Sequence, residues 1–422
     1  MKANLSVTAI ALMVSASALP AQFVSGSTGA DGALDIQSNT VLPVQEDGVH
    51  NYTTINVAGG VTLSFSPNTD NTPVIFLATG DVTIDGTINL DGQSLTSDSF
   101  VGGVPGNESQ PGPGGYPGGL GGIPELVGGS GIGSPGGGPG GGAAGSPSVM
   151  NGGTIRAGNG GSHVTAGGVG NGNTNPAAPT YGDARLLTLT GGSGGAGGNI
   201  TASTMPPLHG PRGGAGGGAL TIASSTSITV NGSITANGGH GNFGRGGGNG
   251  NWQGSGGGGG GAIRLVANTI GGTGMLRALG GSAAGGGGLG RIRLEGVDIN
   301  GPLPANSNPG AGVSRPSVIV LDPGTLPTIE IVSIGGEDVT IPVSHATDAP
   351  EVIIPDTVSN PMTIAIATTN IPNGSVIKLR IILSTGDVLD IDSSPVASNA
   401  ATAMATLPPG SVGVIYATAD FP

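Results

Sequence analysis

Glycine is crowded into the middle of this chain. Of the 89 glycines among 422 residues, 69 lie between Gly102 and Gly290, many of them in runs such as 256–261. Such runs carry no side chains to bury, so a compact structure in them must be held together by backbone hydrogen bonds. Glycine does not recur at every third position, which excludes a collagen triple helix. Two interpretations stay open for 102–217: a flexible linker, or packed strands of polyproline-II type.

The lack of cysteine and the acidic charge exclude further classes of protein. With no Cys in the sequence, a disulfide framework and Cys-ligated zinc or iron–sulfur sites are impossible. The formal net charge of −13, from 25 acidic against 12 basic residues, predicts repulsion from nucleic acid and from anionic lipid surfaces. We therefore expect no nucleic-acid partner and no cofactor that depends on cysteine.

The first 21 residues have the pattern of a secretory signal peptide. Lys2 provides the positive start, and an apolar run follows from Val7 to Val14. Small residues then offer cleavage sites at Ala16–Ala18 or after Ala21. No later stretch has the ~18 consecutive apolar residues of a membrane span, so no transmembrane segment is expected in the mature chain. The predicted location is secreted and extracellular; if the protein stays on a cell, a partner must hold it there.

Short apolar repeats flank and interrupt the glycine runs. Residues 220–236 form the fullest unit, and its apolar positions 220, 222, 228, 230 and 234 share one parity. This spacing predicts three short strands joined by small-residue corners, about one coil of a β-solenoid. The beginning of the unit recurs at 261–265 and 290–294, and its end resembles 86–92. A single coil can bury its inward side chains only by stacking on neighbours, so coils are expected in 22–101 and 218–301.

The last hundred residues have a different pattern. Strand-like runs separated by turns, such as 376–383, predict an immunoglobulin-like β-sandwich over 317–422. In that run Ile377, Leu379, Ile381 and Leu383 share one face, whereas Lys378 and Arg380 point the other way. The whole chain is therefore predicted to be all-β, with parallel solenoid-like strands, long glycine-rich insertions and this sandwich. The predicted segments are a signal peptide (1–21), an N-terminal solenoid segment (22–101), a Gly/Pro-rich region (102–217), solenoid coils with glycine-rich insertions (218–301), a linker (302–316) and the sandwich (317–422).

The repeat resembles that of a known group of proteins. A glycine run followed by Ala-Ile-Arg-Leu (262–265) or Arg-Ile-Arg-Leu (291–294) precedes an Ile/Leu-x-Ala element and another glycine run. This order is similar to that of the glycine-rich, β-solenoid-like secreted and surface proteins of bacteria, many of which are called adhesin-like. The resemblance covers about residues 80–301. It implies an extracellular, non-catalytic role in surface contact or matrix.

A second hypothesis is a polysaccharide-active β-helix enzyme of the glycoside hydrolase type. Polygalacturonase-type enzymes carry Asn-Thr-Asp, Asp-Asp, Gly-His-Gly and Arg-Ile-Lys in that order, and this chain has comparable motifs ending at Asp70, centred on His240 and ending at Arg293. Two carboxylates must flank the scissile bond in such an enzyme. No Asp-Asp pair lies between the first two motifs, and they are some 170 residues apart. We therefore predict no catalytic residues.

Binding sites for metals and sugars are weakly indicated. The five histidines are scattered, which predicts no metal site among them, and no cofactor site is predicted. Calcium is the one cation that the turn carboxylates would suit, because it prefers oxygen ligands; the carboxylates in question are Asp81, Asp85 and Asp91, and Asp387, Asp390 and Asp392. Solvated turn carboxylates are the simpler interpretation.

Aromatic and threonine side chains suggest two further binding functions. Phe243 and Trp252 could stack on a glycan or could simply pack against the glycines. An ice-binding face would need a regular threonine ladder, which Thr83, Thr87 and Thr229 do not form in the sequence. The predicted function is a secreted structural or adhesive protein that associates with itself, with cell-surface or matrix components, or with glycans. Open sheet edges would permit assembly into fibres.

Overall fold

The computed structural model of this chain describes most of the sequence. Residues 1–21, the predicted signal peptide, lie outside the described ranges, which are 22–94, 108–123, 130–145, 156–202, 210–241, 244–245, 250–317, 319, 327–339, 352–355, 357–383, 387–408 and 413–419. Within these ranges the protein is all-β and has no α-helix. Both parallel and antiparallel sheets are present.

The described residues form 26 strands. Those that precede or interrupt the glycine-rich segments are β1 (Leu34–Ile36), β2 (Thr40–Pro43), β3 (Val49–Tyr52), β4 (Ile55–Val57), β5 (Thr62–Ser66), β6 (Val74–Ala78), β7 (Val82–Ile84), β8 (Thr87–Asn89), β9 (Ser130–Gly131), β10 (Ile200–Ala202), β11 (Ala219–Val230), β12 (Ser233–Thr235), β13 (Gly244–Arg245), β14 (Gly250–Gln253), β15 (Ala262–Gly271) and β16 (Met275–Arg277). The remaining strands are β17 (Arg291–Ile299), β18 (Ser307–Asn308), β19 (Gly312–Ser314), β20 (Thr328–Ile334), β21 (Glu337–Asp338), β22 (Met362–Thr369), β23 (Val376–Leu383), β24 (Val388–Pro395), β25 (Ala400–Ala405) and β26 (Gly413–Ala419).

Two parallel sheets run through the first three quarters of the protein. One has the order β1-β4-β7-β11-β15-β17-β19, with β3 and β6 joined to β11 at its side. The other has the order β18-β16-β12-β8-β5-β2. The chain passes from the first sheet to the second and back, so that each passage lies directly on the one before. Strands from 22–94 therefore pair with strands from 219–314, and the two segments form one continuous stack.

The aliphatic side chains between these sheets form one core. Ile55, Val82, Ile228 and Ile270 occupy successive positions of the same register, and each is at most 1% exposed. The odd-even pattern places alternate residues inside, because side chains of a strand point to opposite faces in turn. Full burial of each such side chain contributes roughly 1.5–3 kcal/mol. The predicted inward positions 220, 222, 228, 230 and 234 are all fully buried.

The glycine-rich segments pack beside this stack and are bonded through their backbones. In 213–218, every third amide donates to the same neighbouring segment. The donor–acceptor pairs are Gly213 to Gly119 and Gly216 to Tyr116, Gly214 to Gly256 and Gly217 to Gly259, and Ala215 to Gln93 and Gly218 to Leu90. This extended segment thus has three different neighbours, which is unlike a strand in a flat sheet. A period of three is the repeat of a polyproline-II helix.

Glycine is required in this bundle because the segments approach too closely for side chains. A Cβ built on Gly258 would overlap the backbone carbonyl of Ala215, and one on Gly217 would overlap that of Ala236. All glycines of 213–218 and 256–261 are buried. The flexible-linker interpretation is therefore wrong for the described glycine-rich residues, which are ordered by hydrogen bonds to neighbouring segments. We call the described glycine-rich segments within 108–218, 238–241, 254–261 and 278–290 the glycine bundle.

The C-terminal residues form two antiparallel sheets around a second core. One has the order β21-β20-β22-β25 and the other β24-β23-β26. Ile364 and Ile366 of β22 are buried in the same cluster as Ile377, Leu379 and Ile381 of β23. The face predicted for β23 is therefore the core face. Arg380 points away from this core as predicted, yet it is only 6% exposed, because its outer surface meets the glycine bundle.

Candidate functional site: the glycine bundle and the cleft beside it

Three of the carboxylates considered for calcium accept hydrogen bonds from the neighbouring passage of the chain. Asp81 Oδ1 accepts hydrogen bonds from Thr226 Oγ1 at 2.6 Å and Ser227 Oγ at 2.8 Å. Those bonds lower the pKa of Asp81. Asp85 Oδ1 accepts from Asn231 Nδ2 at 2.8 Å, one corner further along. These carboxylates hold the paired strands β7 and β11 in register.

No metal centre is evident in the part of the chain that the structure describes. Groups of three or more His, Asp or Glu side chains that could hold a metal ion are absent from the described ranges. Asp91 repeats the corner arrangement, since its Oδ1 accepts from the Asn237 amide at 2.6 Å. Asp390 instead forms an ion pair with Arg380. Calcium binding therefore stays a hypothesis without a defined site.

The three residues of the polygalacturonase-like motifs have separate surroundings. Asp70 lies exposed in the turn before β6. His240 donates its amide to Ser94 Oγ at 3.0 Å, and its Nδ1 accepts from the Ser282 amide at 2.8 Å. No hydrogen bond or ion pair joins any two of Asp70, His240 and Arg293 within the described residues. These contacts give His240 a role in linking successive coils.

Arg293 belongs to a buried ion cluster that the sequence did not reveal. Its Nε donates to Glu295 Oε1 at 2.7 Å, and Arg264 Nε donates to the same oxygen at 3.1 Å. Glu295 is completely buried, and burial by itself would raise its pKa. Hydrogen bonds from Arg264, Ser317 and Arg293 outweigh that effect and lower the pKa. The cluster fixes residues 314–317 on the outer face of β15 and β17. The Arg-x-Arg-x-Glu spacing of β17 was the one sequence pattern that could have indicated this ion cluster.

A histidine lies in the interior of the glycine bundle. His163 is 0% exposed, its Nδ1 is 2.8 Å from the carbonyl oxygen of Gly260, and its ring lies 5.0 Å from that of Tyr181. Within the described residues its Nε2 has no hydrogen-bond partner. Burial is the main cause that lowers the pKa of His163 to about 4, and the nearby charge of Arg291 acts in the same direction. The imidazole is therefore neutral near pH 7 and packs as part of the bundle.

Tyrosines join the bundle to the C-terminal sheets. The rings of Tyr116 and Tyr416 meet edge to face, with centroids 5.8 Å apart and planes at 86°. Burial raises the pKa of Tyr116 to about 12. Tyr181 donates to the carbonyl of Gly191 at 2.6 Å and accepts from Ser193 Oγ at 2.9 Å. These phenols stay protonated at physiological pH and serve as fixed contacts.

A cleft of about 340 Å³ opens next to this junction. Arg380 lies at its wall, where Nη2 donates to the carbonyl of Gly141 at 3.2 Å and Nη1 lies 3.3 Å from both carboxylate oxygens of Asp390. Burial lowers the pKa of Arg380, and the charge of Asp390 opposes that change. The other residues that line the cleft are Ala143, Asn175 and Pro176 from the bundle, and Leu383, Asp387, Val388, Leu389, Thr406 and Pro408 from the C-terminal sheets.

The remaining candidate binders are only partly described. Phe243 lies outside the described residues, and of Trp252 the backbone alone is described, paired with Ile200 between β14 and β10. Thr83 lies beside Thr229, but the next position in that row is Gly271. Thr87 Oγ1 and Ser233 Oγ are 3.1 Å apart in the other sheet. The threonine rows are therefore short and interrupted, as the sequence indicated.

Comparison with known proteins gives no identification. No protein-family model, no curated protein and no solved structure matches this chain. In the described ranges no helix has the length and apolarity needed to span a bilayer. The function must be argued from the chain's own geometry.

Proposed function

We propose that this protein is a secreted, non-catalytic structural or adhesive protein that acts outside a bacterial cell. The coils form a β-solenoid, the glycine segments form a polyproline-II-like bundle at its side, and the C-terminal sheets form an immunoglobulin-like sandwich seated on that bundle. The signal-like first 21 residues support export. The partners would be other copies of the chain, cell-surface or matrix components, or glycans.

The observation that carries this proposal is the glycine bundle. Building such a bundle requires small residues along whole segments, because a Cβ at most positions would strike a neighbouring backbone. The chain thus commits long segments to a body held by backbone hydrogen bonds, with few side chains left to perform chemistry. A body of this kind is suited to holding surfaces at fixed positions.

The surroundings of the ionisable residues support a role without catalysis. The acidic side chains at the coil corners accept hydrogen bonds from the next coil, and Glu295 is enclosed by arginines. Catalytic acids and bases need access to a substrate and a pKa suited to proton transfer. Asp70 and His240, the residues of the enzyme hypothesis, share no contact in the described structure.

Export and adhesion can be tested together. The full chain would be expressed in a bacterial host beside a variant that lacks residues 2–21, and the location and N-terminus of each product determined by fractionation and mass spectrometry. The purified mature protein, coupled to fluorescent beads, would then be scored for retention on bacterial cells and on extracted matrix. We expect export that depends on residues 2–21, and retention above that of albumin-coated beads.

Two results would contradict the proposal. One is accumulation of the full chain inside the cell with its N-terminus intact. The other is release of reducing sugar from polysaccharide that is lost in the Asp70→Asn variant and kept in Asp183→Asn, a carboxylate outside the motifs. The second result would establish the hydrolase alternative instead.

A further inference from the structure

The cleft between the glycine bundle and the C-terminal sheets has the size of a small-ligand site. Its volume of about 340 Å³ lies within the range of pockets that bind small molecules. One wall comes from the bundle, at Ala143, Asn175 and Pro176, and the other from the β23–β24 hairpin and the residues after β25. Pockets of this kind often form where two bodies of one chain meet.

The cleft contains a buried cation whose hydrogen-bonding capacity is not used up. The side chain of Arg380 is 7% exposed, and its Nη1 and Nη2 contact Asp390 and the Gly141 carbonyl. Its Nε is buried and has no hydrogen-bond partner among the described residues. That Nε has no accessible surface, so a ligand in the cleft would accept instead from the second N–H that Nη1 and Nη2 each carry.

Acidic groups line the same cleft. Asp387 is exposed at the end of the hairpin, and Asp390 keeps its carboxylate 61% exposed beside Arg380. Arg380 and Asp390 compensate each other, and Asp387 leaves one negative charge that repels an anionic ligand, whereas an ammonium group would bring no acceptor for the guanidinium. A hydroxyl group both donates and accepts, so it can bond to a carboxylate and to a guanidinium at once. The mixed charges therefore favour a neutral ligand with many hydroxyl groups.

Apolar side chains complete the lining. Val388 and Leu389, both half-buried, come from the hairpin, and Pro176 and Pro408 belong to the rest of the lining; Leu383 also borders the cleft but is only 2% exposed. Such side chains suit the C–H face of a sugar ring, whereas a linear polyol would leave them partly uncovered. We propose that this cleft binds a neutral saccharide of one or two pyranose units, with Arg380 as donor and Asp387 as acceptor. The assignment rests on the proposed adhesive function, since it names the ligand through which the protein would contact a surface.

The test uses the intact mature chain and a panel of neutral methyl glycosides of glucose, galactose, mannose and N-acetylglucosamine. Binding would be measured by saturation-transfer NMR, and the site located from the Arg380 Nε–H resonance of protein labelled with ¹⁵N-arginine. Asp387→Asn removes one charge from the cleft. Asp392→Asn is the matched control, because it makes the same change at an exposed position of β24 that does not line the cleft.

We expect at least one glycoside to bind and to shift the Arg380 signal, with affinity about tenfold weaker in Asp387→Asn and unchanged in Asp392→Asn. Thermal unfolding of both variants separates any change in stability from the change in binding. Failure of every glycoside to bind, or equal binding in the two variants, would overturn the assignment. Binding of glucosamine or Ca²⁺ in place of the neutral sugars would do so as well. Cell retention of the protein without glycoside binding would leave the adhesive function standing and remove the cleft from it.

Discussion

Two adjacent glycines of the bundle should respond in opposite ways to the same substitution. A Cβ on Gly287 would overlap the Gly258 carbonyl oxygen. The same Cβ would lie 2.6 Å from the Gly258 carbonyl carbon and 2.9 Å from the Gly281 nitrogen. A Cβ on Gly286 would have its nearest neighbour, the Gly281 oxygen, at 3.9 Å, which is ordinary contact. Gly287→Ala and Gly286→Ala are thus a matched pair that differs in the space available.

The cost of Gly287→Ala follows from the separation that the new methyl group requires. Carbon atoms in contact lie about 3.5–4.0 Å apart, so segment 285–288 must move away from 256–261 by roughly 1 Å. That movement strains the bonds from the Gly257 amide to Gly285 and from the Gly260 amide to Gly288, now 2.8 and 2.9 Å long. Overpacking costs about 1–3 kcal/mol and each weakened bond about 1 kcal/mol, which together gives about 3–5 kcal/mol. Gly286→Ala should be neutral or stabilise by about 0.4–1 kcal/mol.

Hydrogen exchange measures this locally. We expect protection of the Gly257 and Gly260 amides to fall about a hundredfold or more in Gly287→Ala and to stay the same or rise in Gly286→Ala. Equal protection in the two variants would mean that the segments are not in direct backbone contact. Such a result would exclude a closely packed glycine bundle.

Three further predictions concern ionisable and aromatic groups. The pKa of His163 is about 4 in the folded protein and about 6.5 in the unfolded chain, so its contribution to stability is complete above pH 6.5 and falls by about 3 kcal/mol as the pH drops to 4. Urea unfolding at several pH values should therefore show a weaker dependence of the unfolding free energy on pH in His163→Gln. An unchanged pH dependence would contradict the buried neutral imidazole. Glu295→Ala leaves two arginines without their shared carboxylate and should cost about 3–5 kcal/mol, whereas Asp298→Asn, at an exposed position of the same strand, should cost little in the same urea titration. Tyr416→Ala removes the ring contact with Tyr116 and should lower the unfolding free energy by about 1–3 kcal/mol in calorimetry, while equal stability would exclude a tight junction there.

The strands of the stack could be predicted because apolar and small polar side chains alternate along them. Ile228, Val230 and Ile234 alternate with small polar residues, and each is fully buried. The corner contacts of Asp81 could not be predicted, because their partners lie 145 and 146 residues away in the sequence. Only the stacking of coils brings these residues together.

The packing of the glycine bundle and the presence of the cleft could not be predicted from the sequence, for a physical reason. A glycine has no side chain whose polarity or size could indicate its neighbour, so a run such as 256–261 has the same sequence pattern whether it is packed or free. Arg380 was placed correctly on the outer face of β23, but its burial depends on Gly141, which belongs to another body. The alternation of apolar and polar residues predicts which face of a strand packs on its own core. It does not predict that a second body, here the glycine bundle, covers the other face.

The long insertion between two stacked coils has a consequence for how the protein is made. Thr87 and Ser233 lie side by side in neighbouring strands although 146 positions separate them. Closing a loop of that length costs about 4 kcal/mol in chain entropy. As the chain emerges from its N-terminus, β7 and β8 must wait with an unpaired edge until β11 and β12 arrive. Formation of the part of the bundle within 108–218, which draws the two ends of the insertion together, is therefore expected to set the moment at which β11 and β12 can pair with β7 and β8.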